Sequence, residues 1–345
     1  MVPTLDHHSE KIKKKEGMGM KNFNFKGVIL FTVLTGLVML SVCDVVLSAD
    51  YPTKPIELVI PWPAGGRTDI GTRIIAPYLE KYIGTPVVVI NKVGGGGIIG
   101  MNYIRDAKPD GYTICSGGQA LSYFQYQKAE SPSLWDYTWI ARTYWTPMVV
   151  AVNVKSPFHT IKDLVEFARA NPGKLRHGNT ATGSTTHIAS EKFSKEFKIK
   201  FTQVPYKGEG DSVKGIGTGE VDLAFGLYVA FRPLVEGGQL RILGVAAEKR
   251  DPLYPQIPSF QEQGYEHVEP TWEAIHTPKN LPKNVYDKLF EACRRAITDP
   301  EAIEKFGKIG LSMSYQPGPE FTEWLKGWDK EVKEMIYELG LQIKK

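Results

Sequence analysis

Short apolar segments alternate with amphipathic segments along most of the chain after residue 50. Between the apolar runs, apolar residues recur every three or four positions, as at Ile70, Ile74 and Leu79, which is the period of an amphipathic helix. Strands of nearly continuous apolar character that alternate with helices predict an α/β protein with mixed, mainly parallel sheets. The predicted strands lie at 58–61, 87–90, 113–115, 148–152, 201–204, 221–225 and 242–246.

The loop at 61–69 follows a predicted strand and leads into a predicted helix, which is where ligands of open α/β sheets bind. Adjacent glycines let successive backbone N–H groups point outward, and the helix N-terminus adds partial positive charge. This arrangement suits a carboxylate or phosphate, but a simple turn in which Thr68 or Asp69 only caps the helix is an equal alternative. The candidate ligand-binding residues are Trp62, Ala64, Gly65, Gly66, Arg67, Thr68 and Asp69.

A second loop, at 178–187, crowds hydroxyl groups and backbone N–H groups at the start of a predicted helix. It can form the polar half of an anion site or a cap rich in serine and threonine, and the sequence does not decide between them. Its candidate residues are Asn179, Thr180, Gly183, Ser184, Thr185 and His187.

A third loop, at 91–100, contains the spacing G-x-G-x-x-G at Gly95, Gly97 and Gly100. Three residues separate it from the preceding strand, and the next strand ends at 116–118 without the acidic residue that would bind a ribose. We therefore expect no dinucleotide and no other cofactor.

Catalytic and metal-binding patterns are sparse. The histidines occur at no metal-ligand spacing, so no metal site is predicted. Ser184 and His187 lie one helical turn apart, but no G-x-S-x-G sequence surrounds the serine. We expect a protein that is not an enzyme, with an exported hydrolase as a remote alternative.

Composition narrows the class further. The 345 residues include 42 Lys and Arg against 38 Asp and Glu, a net charge of +4, with 42% hydrophobic residues and three cysteines. These values exclude a disordered chain and a disulfide scaffold, and give no indication of a nucleic-acid partner. The length favours about two domains. Cys115 and Cys293 fall in apolar segments and are expected to be buried thiols.

The N-terminal 49 residues have the pattern of an export signal. Six lysines lie between residues 11 and 26, and the segment 27–43 carries no charge. We expect a signal peptide at about 18–49, starting at Met18 or Met20 and cleaved after Ala49, and a periplasmic protein. A membrane anchor is the alternative. Lipid attachment at Cys43 is less favoured because Val42 stands where a small residue is required.

Motifs distributed over residues 51–223 resemble the Bug family, the periplasmic solute-binding proteins of tripartite tricarboxylate transporters. The resemblance is carried in order by Tyr51-Pro52-Thr53-Lys54-Pro55, Pro61-Trp62-Pro63-Ala64-Gly65-Gly66, Val93-Gly94-Gly95-Gly96-Gly97, Lys108-Pro109-Asp110-Gly111-Tyr112, Asn171-Pro172-Gly173, Gly183-Ser184-Thr185-Thr186-His187, Val204-Pro205-Tyr206-Lys207-Gly208 and Gly219-Glu220-Val221-Asp222-Leu223.

The resemblance implies a two-lobed periplasmic binding protein of the type II-like α/β fold, with two crossing strands. Lobe 1 would comprise 51–152, lobe 2 would comprise 153–246, and 247–345 would return through the hinge and complete lobe 1. The loops 62–69 and 179–187 would face each other across the cleft and hold a ligand carboxylate. Membrane transport subunits would then be the protein partner of an expected monomer.

The sequence departs from the family pattern at three places. Arg67 stands where the family usually has a small residue, and Gly226 replaces an acidic residue that is frequent in the family. The segment Thr271-Trp272-Glu273-Ala274-Ile275 departs from the usual Trp-Phe-Gly-Leu sequence. We expect Arg67 to contact ligand, Trp272 to pack at the cleft edge, and Glu273 to be exposed, with contact to a cation as its alternative. The leading hypothesis is capture of a small carboxylate, with aromatic acids and dicarboxylates among the candidates. Presentation of the ligand to a membrane sensor kinase is the alternative function.

Overall fold

Strands and helices alternate through residues 51–343, the part of the chain that the computed structural model describes. The strands are β1 (Ile56–Ile60), β2 (Val87–Asn91), β3 (Thr113–Gly118), β4 (Tyr137–Pro147), β5 (Val149–Asn153), β6 (Arg176–Asn179), β7 (Thr202–Pro205), β8 (Leu223–Gly226), β9 (Leu240–Val245), β10 (Pro270–Pro278) and β11 (Met313–Pro317). The helices are α1 (Arg67–Ile83), α2 (Ile98–Arg105), α3 (Gln119–Gln127), α4 (Ile161–Ala170), α5 (Thr185–Glu196), α6 (Glu209–Thr218), α7 (Tyr228–Glu236), α8 (Lys283–Ile297), α9 (Pro300–Lys308) and α10 (Gly318–Glu338).

The strands form two sheets, each with helices packed against it. The first has the order β11-β4-β10-β3-β1-β2, and the second has the order β7-β6-β8-β5-β9. We call the halves built on them the first lobe and the second lobe. The predicted α/β class is therefore confirmed. The predicted lobe boundaries fall inside β5 and just after β9, and remain predictions.

The sheets are mixed, and the expected excess of parallel pairing is absent from residues 51–343. Pairs β1–β2, β1–β3, β6–β7 and β6–β8 are parallel, whereas β3–β10, β4–β10, β4–β11, β5–β8 and β5–β9 are antiparallel. The cause is the path between the lobes. The chain leaves the first sheet along β4 and returns to it along β10, and two strands that lead out of and back into one sheet must run in opposite directions.

Two crossings connect the lobes side by side. Met148 alone separates β4 from β5, and residues 246–269 connect β9 to β10. The backbone N–H of Met148 donates to the carbonyl of Glu269, and the N–H of Ala246 donates to the carbonyl of Met148. The two crossings are thus hydrogen-bonded to each other where the chain passes between the lobes.

Large apolar side chains fill the space between each sheet and its helices. In the first lobe, a cluster of aromatic side chains packs edge to face, with ring centroids 5.1–6.0 Å apart; its members are Trp139, Trp272 and Phe321. Cys115 and Cys293 are buried and unpaired, as predicted. No helix within residues 51–343 is long and apolar enough to span a membrane. The predicted export signal and Cys43 lie outside the described residues.

Candidate functional site

The loop after β1 leads directly into α1. The N-cap residue Gly66 has extended backbone, and no side chain caps the helix. Asp69 does not cap α1 from within its first turn; its Oδ2 accepts from the Gly65 N–H at 3.0 Å. The Asp69 carboxylate thus closes the turn before the helix, and ligand binding by this loop stays a prediction. The backbone N–H of Arg67 donates to Oε2 of Glu209 at 3.3 Å, so a carboxylate does lie at this helix N-terminus.

The opposing loop lies between β6 and α5 and is largely satisfied by its own side chains. Oγ of the N-cap residue Ser184 accepts from the His187 N–H at 3.4 Å, and the Gly183 N–H donates to His187 Nδ1 at 2.9 Å. The N–H of Thr180 donates to Thr186 Oγ1 at 3.0 Å. This loop therefore includes a serine and threonine cap, and its part in anion binding stays a prediction. Thr185 is the exception, because its Oγ1 is buried and has no hydrogen-bond partner in the protein.

A small cavity lies where the two loops face each other. Its volume is about 40 Å³ as traced by the centre of a water-sized sphere, which is space for roughly three water molecules. It is lined by Trp62, Pro63, Gly66, Arg67, Thr68, Asp69, Ala120, Thr180, Ser184, Thr185, Gly208 and Glu209. The lobes touch beside it, since a Cβ at Gly208 would lie 3.2 Å from Pro63. The structure thus shows the lobes in a closed arrangement.

Eight predicted site residues line the cavity together. They are Trp62, Gly66, Arg67, Thr68, Asp69, Thr180, Ser184 and Thr185. Five others, namely Ala64, Gly65, Asn179, Gly183 and His187, lie in the same loops but outside the lining.

Trp272 is placed elsewhere, against the expectation that it packs at the cleft edge. Its side chain is fully buried among Trp139, Phe321, Trp324 and Trp328. The reason is its position on β10, a strand in the middle of the first sheet, where a large ring faces the helix layer. Trp272 is therefore a core residue.

The glycine-rich loop at 94–97 positions Trp62. The indole Nε1 of Trp62 donates to the carbonyl of Gly96 at 3.1 Å, and a Cβ at Gly97 would lie 3.0 Å from that nitrogen. Gly97 also has φ of +113°, which side chains rarely adopt. The glycines of the formal G-x-G-x-x-G spacing therefore support one wall of the cavity.

Arg67 and Glu209 face each other across the cavity from different lobes. Arg67 Nη1 lies 3.5 Å from Glu209 Oε1, and their side chains are 11% and 5% exposed. Burial alone would lower the pKa of Arg67, but the adjacent Glu209 carboxylate raises it, so the guanidinium stays charged. Arg67 Nε is buried without a partner. Glu209 was not among the site residues predicted from the sequence. It lies 142 residues from Arg67, at the start of α6, and no local motif marks it as a ligand contact.

A second carboxyl group lies behind Thr68. Thr68 Oγ1 donates to Glu273 Oε1 at 2.7 Å, and Glu273 Oε2 has no partner in the protein. Glu273 is only 1% exposed, so the expectation of an exposed residue is wrong: its side chain points inward from the central strand β10. Burial raises the pKa of Glu273 to about 7, although Arg67 acts in the opposite direction.

The geometry does not support a serine nucleophile. Ser184 Oγ contacts the backbone N–H of His187 and not its imidazole, whose Nδ1 accepts from Gly183. Burial also lowers the pKa of His187. A general base must reach the proton that it abstracts, and the two ring nitrogens of His187 lie against the Gly183 N–H and the Glu191 carboxylate instead. Among residues 51–343 no group of three or more His, Cys, Asp or Glu side chains could hold a metal ion.

Comparison with known proteins agrees with this architecture. The sequence model of the tripartite tricarboxylate transporter family receptor matches residues 72–341. The UPF0065 protein in the gbd 5'region of Cupriavidus necator is 30% identical over 292 residues, covering 84% of this chain and 89% of that protein. Protein BugT of Bordetella pertussis is 29% identical over 272 residues, covering 77% and 83%.

Solved structures give the same result. The periplasmic binding protein BugD superposes with a TM-score of 0.79 at 26% identity, over 85% of this chain and all of that chain. An R. palustris protein solved with adipate superposes with a TM-score of 0.80 at 26% identity, over 84% of this chain and 99% of that chain. The chain therefore belongs to the tripartite tricarboxylate transporter receptor family, together with the Bug proteins.

Proposed function

We propose that this chain is an extracytoplasmic solute-binding protein that captures a small carboxylate between its lobes. The observation that carries the proposal is the cavity between the N-termini of α1 and α5, where Arg67 supplies a buried guanidinium. A guanidinium stabilises a carboxylate through charge-assisted hydrogen bonds. The relative solved with adipate supports a carboxylate as the ligand class.

Ligand capture would be coupled to closure. A ligand in the cavity would contact Thr68 from the first lobe and Thr185 from the second, and both contacts exist only when the lobes are together. A ligand shifts a conformational equilibrium by its differential affinity for the two states, so it would favour the closed arrangement. The closed arrangement would then be the form that the membrane subunits of a tripartite transporter recognise. Transport, with a periplasmic location after export, is the function we assign.

Titration calorimetry tests this proposal. The folded unit that begins at Tyr51 would be titrated with mono-, di- and tricarboxylates and with carboxylates that also bear an amine. We expect one-to-one binding of at least one compound and a matching rise in the thermal unfolding midpoint. Absence of heat and of any thermal shift with the whole panel would contradict carboxylate capture.

A further inference from the structure

The carboxylate position at the start of α1 is already filled by the protein itself. Glu209 Oε2 accepts from the Arg67 N–H, and Glu209 Oε1 accepts from the Leu227 N–H, both at 3.3 Å. Glu209 is 6% exposed and lines the cavity. A ligand carboxylate that approaches Arg67 must therefore compete with a buried carboxylate for the same guanidinium and the same helix N-terminus.

The charges around the cavity do not favour a simple anion. Arg67 is one cation, Glu209 is one anion, and the Glu273 carboxyl lies directly behind Thr68. Asp69 also lines the cavity, but its charge is already paired: Arg73, which does not line the cavity, donates from Nε to Asp69 Oδ1 at 2.9 Å. A ligand that brings only negative charge would leave acids in excess of cations in a buried space, where like charges repel strongly.

Buried donors without partners remain beside this pair. Thr185 is 1% exposed, lines the cavity, and its Oγ1 has no partner, so it can donate to a ligand oxygen. Arg67 Nε is a second donor without a partner. Buried donors without partners are costly, and a ligand oxygen would satisfy them. The Glu209 carboxylate on the cavity wall can in turn accept from an N–H of the ligand.

We propose that the ligand is a small zwitterion, a carboxylate that also carries an ammonium group, and that Glu209 is the residue that selects it. This inference rests on the proposed function, because it concerns the same cavity. Glu209 receives the ammonium group, and Arg67 with the Thr185 hydroxyl receives the ligand carboxylate. The ligand thereby separates the Arg67–Glu209 pair without leaving either charge unpaired. The volume of about 40 Å³ favours compounds of few heavy atoms.

Matched ligand pairs test the selection by titration calorimetry. Each pair differs in one amine: propanoate with alanine, succinate with aspartate, and adipate with 2-aminoadipate. We expect the wild-type protein to bind the amine member of at least one pair tenfold more tightly or better, which corresponds to about 1.4 kcal/mol. Glu209→Gln, which keeps the shape and removes the charge, should abolish that preference. Glu334→Gln, an exposed substitution on α10, is the control and should retain it.

The outcomes separate this inference from the proposed function. If the wild-type protein binds the unsubstituted acids as tightly as their amine partners, or more tightly, zwitterion selection is wrong while carboxylate capture stands. A preference for the amine that persists in Glu209→Gln contradicts the role of Glu209. If no member of any pair binds and tricarboxylates also fail to bind, carboxylate capture is itself contradicted, and this inference falls with it. The wild-type measurement decides even if the variant does not fold.

Discussion

Arg67 and Glu209 join the two lobes through a buried ion pair, with Nη1 of one 3.5 Å from Oε1 of the other. Arg67 begins α1 after the first strand, and Glu209 begins α6 in the second sheet's half of the protein. Each residue is the first of its helix, so the pair joins two helix starts across the cavity. A buried pair of this kind is costly to break from one side, because the remaining charge is left without a partner.

Arg67→Ala should therefore weaken ligand binding at least tenfold. It removes the guanidinium that would receive the ligand carboxylate, and it leaves Glu209 as an uncompensated negative charge in the cavity. Calorimetric titration with the tightest ligand measures the change. Arg105→Ala, which removes an exposed arginine paired with Asp106, is the control and should bind normally. Equal affinity in wild type and Arg67→Ala would exclude Arg67 from ligand contact.

Glu273 should make the protein less stable as the pH rises from about 4.5 to 7. Burial raises its pKa to about 7 in the folded protein, so in this interval the folded state holds a proton that the unfolded state has lost. Arg67, Glu209, Tyr144 and Cys115 are the titratable groups that act on it or feel its charge. The proton-linked stability is complete below pH 4.5 and lost above pH 7.

Glu273→Gln should remove this dependence. The variant keeps an oxygen for the Thr68 hydroxyl, and at pH 8 it should exceed the wild type in free energy of unfolding by about 1–3 kcal/mol. Urea unfolding at pH 5 and pH 8 measures the difference. Glu334→Gln is the exposed control. A wild-type-like pH profile in Glu273→Gln would mean that this carboxyl is charged in the folded protein.

Two buried histidines should have the opposite effect in acid. Burial lowers the pKa of His177 to about 4 and that of His276 to about 3. The Nε2 of His177 accepts from the Phe225 N–H, which a protonated ring could not do, whereas the contact of its Nδ1 with Gln203 Oε1 at 2.8 Å raises the pKa and offsets only part of the effect of burial. Below pH 6.5 the unfolded state binds protons that the folded state rejects, so stability falls as the pH falls.

For each histidine, the free energy of unfolding should fall by about 1 kcal/mol for every pH unit by which the pH is lowered from 6 to 4.5. His177→Gln should flatten the wild-type dependence by that amount, whereas the surface substitution His159→Gln serves as the control. Urea unfolding at several pH values gives the slopes. An unchanged slope in His177→Gln would show that this ring accepts a proton without unfolding.

Trp272→Phe should lower stability without altering binding. The ring is fully buried against Trp139, Phe321, Trp324 and Trp328, so the smaller ring loses contacts in the core. We expect a loss of about 1–3 kcal/mol in the free energy of unfolding and an affinity within twofold of the wild type. A large loss of affinity at unchanged stability would restore Trp272 to the ligand site.

Much of the architecture could be predicted because its signals are local. The apolar runs at 58–61 and 87–90 became β1 and β2, and Thr160 with Asp163 forms a capping box at the start of α4. Strands β4 and β10 were missed. They are central strands of the first sheet, but aromatic and polar residues alternate irregularly along them, and bulges interrupt their pairing at Glu273 and Ile275. No short pattern marks such strands.

The candidate site, too, was predicted only where its signals are local in the sequence. The loops at 61–69 and 178–187 were found because glycine and hydroxyl residues before a helix are a local signal. Glu209 was not found, since only the tertiary fold brings it to Arg67. Glu273 was expected at the surface because glutamate is rarely buried, yet β10 carries it into the interior. Long-range pairing decides what the cavity contains, and short windows of sequence do not encode it.

The most direct measurement of the central claim is a crystal structure of the folded unit from Tyr51 onward with its tightest ligand. We predict electron density for one ligand in the cavity, with its carboxylate within hydrogen-bond distance of Arg67 in the first lobe and Thr185 in the second. Density for the ligand outside this cavity, or against one lobe only, would contradict the claim that closure over a carboxylate is what this protein does.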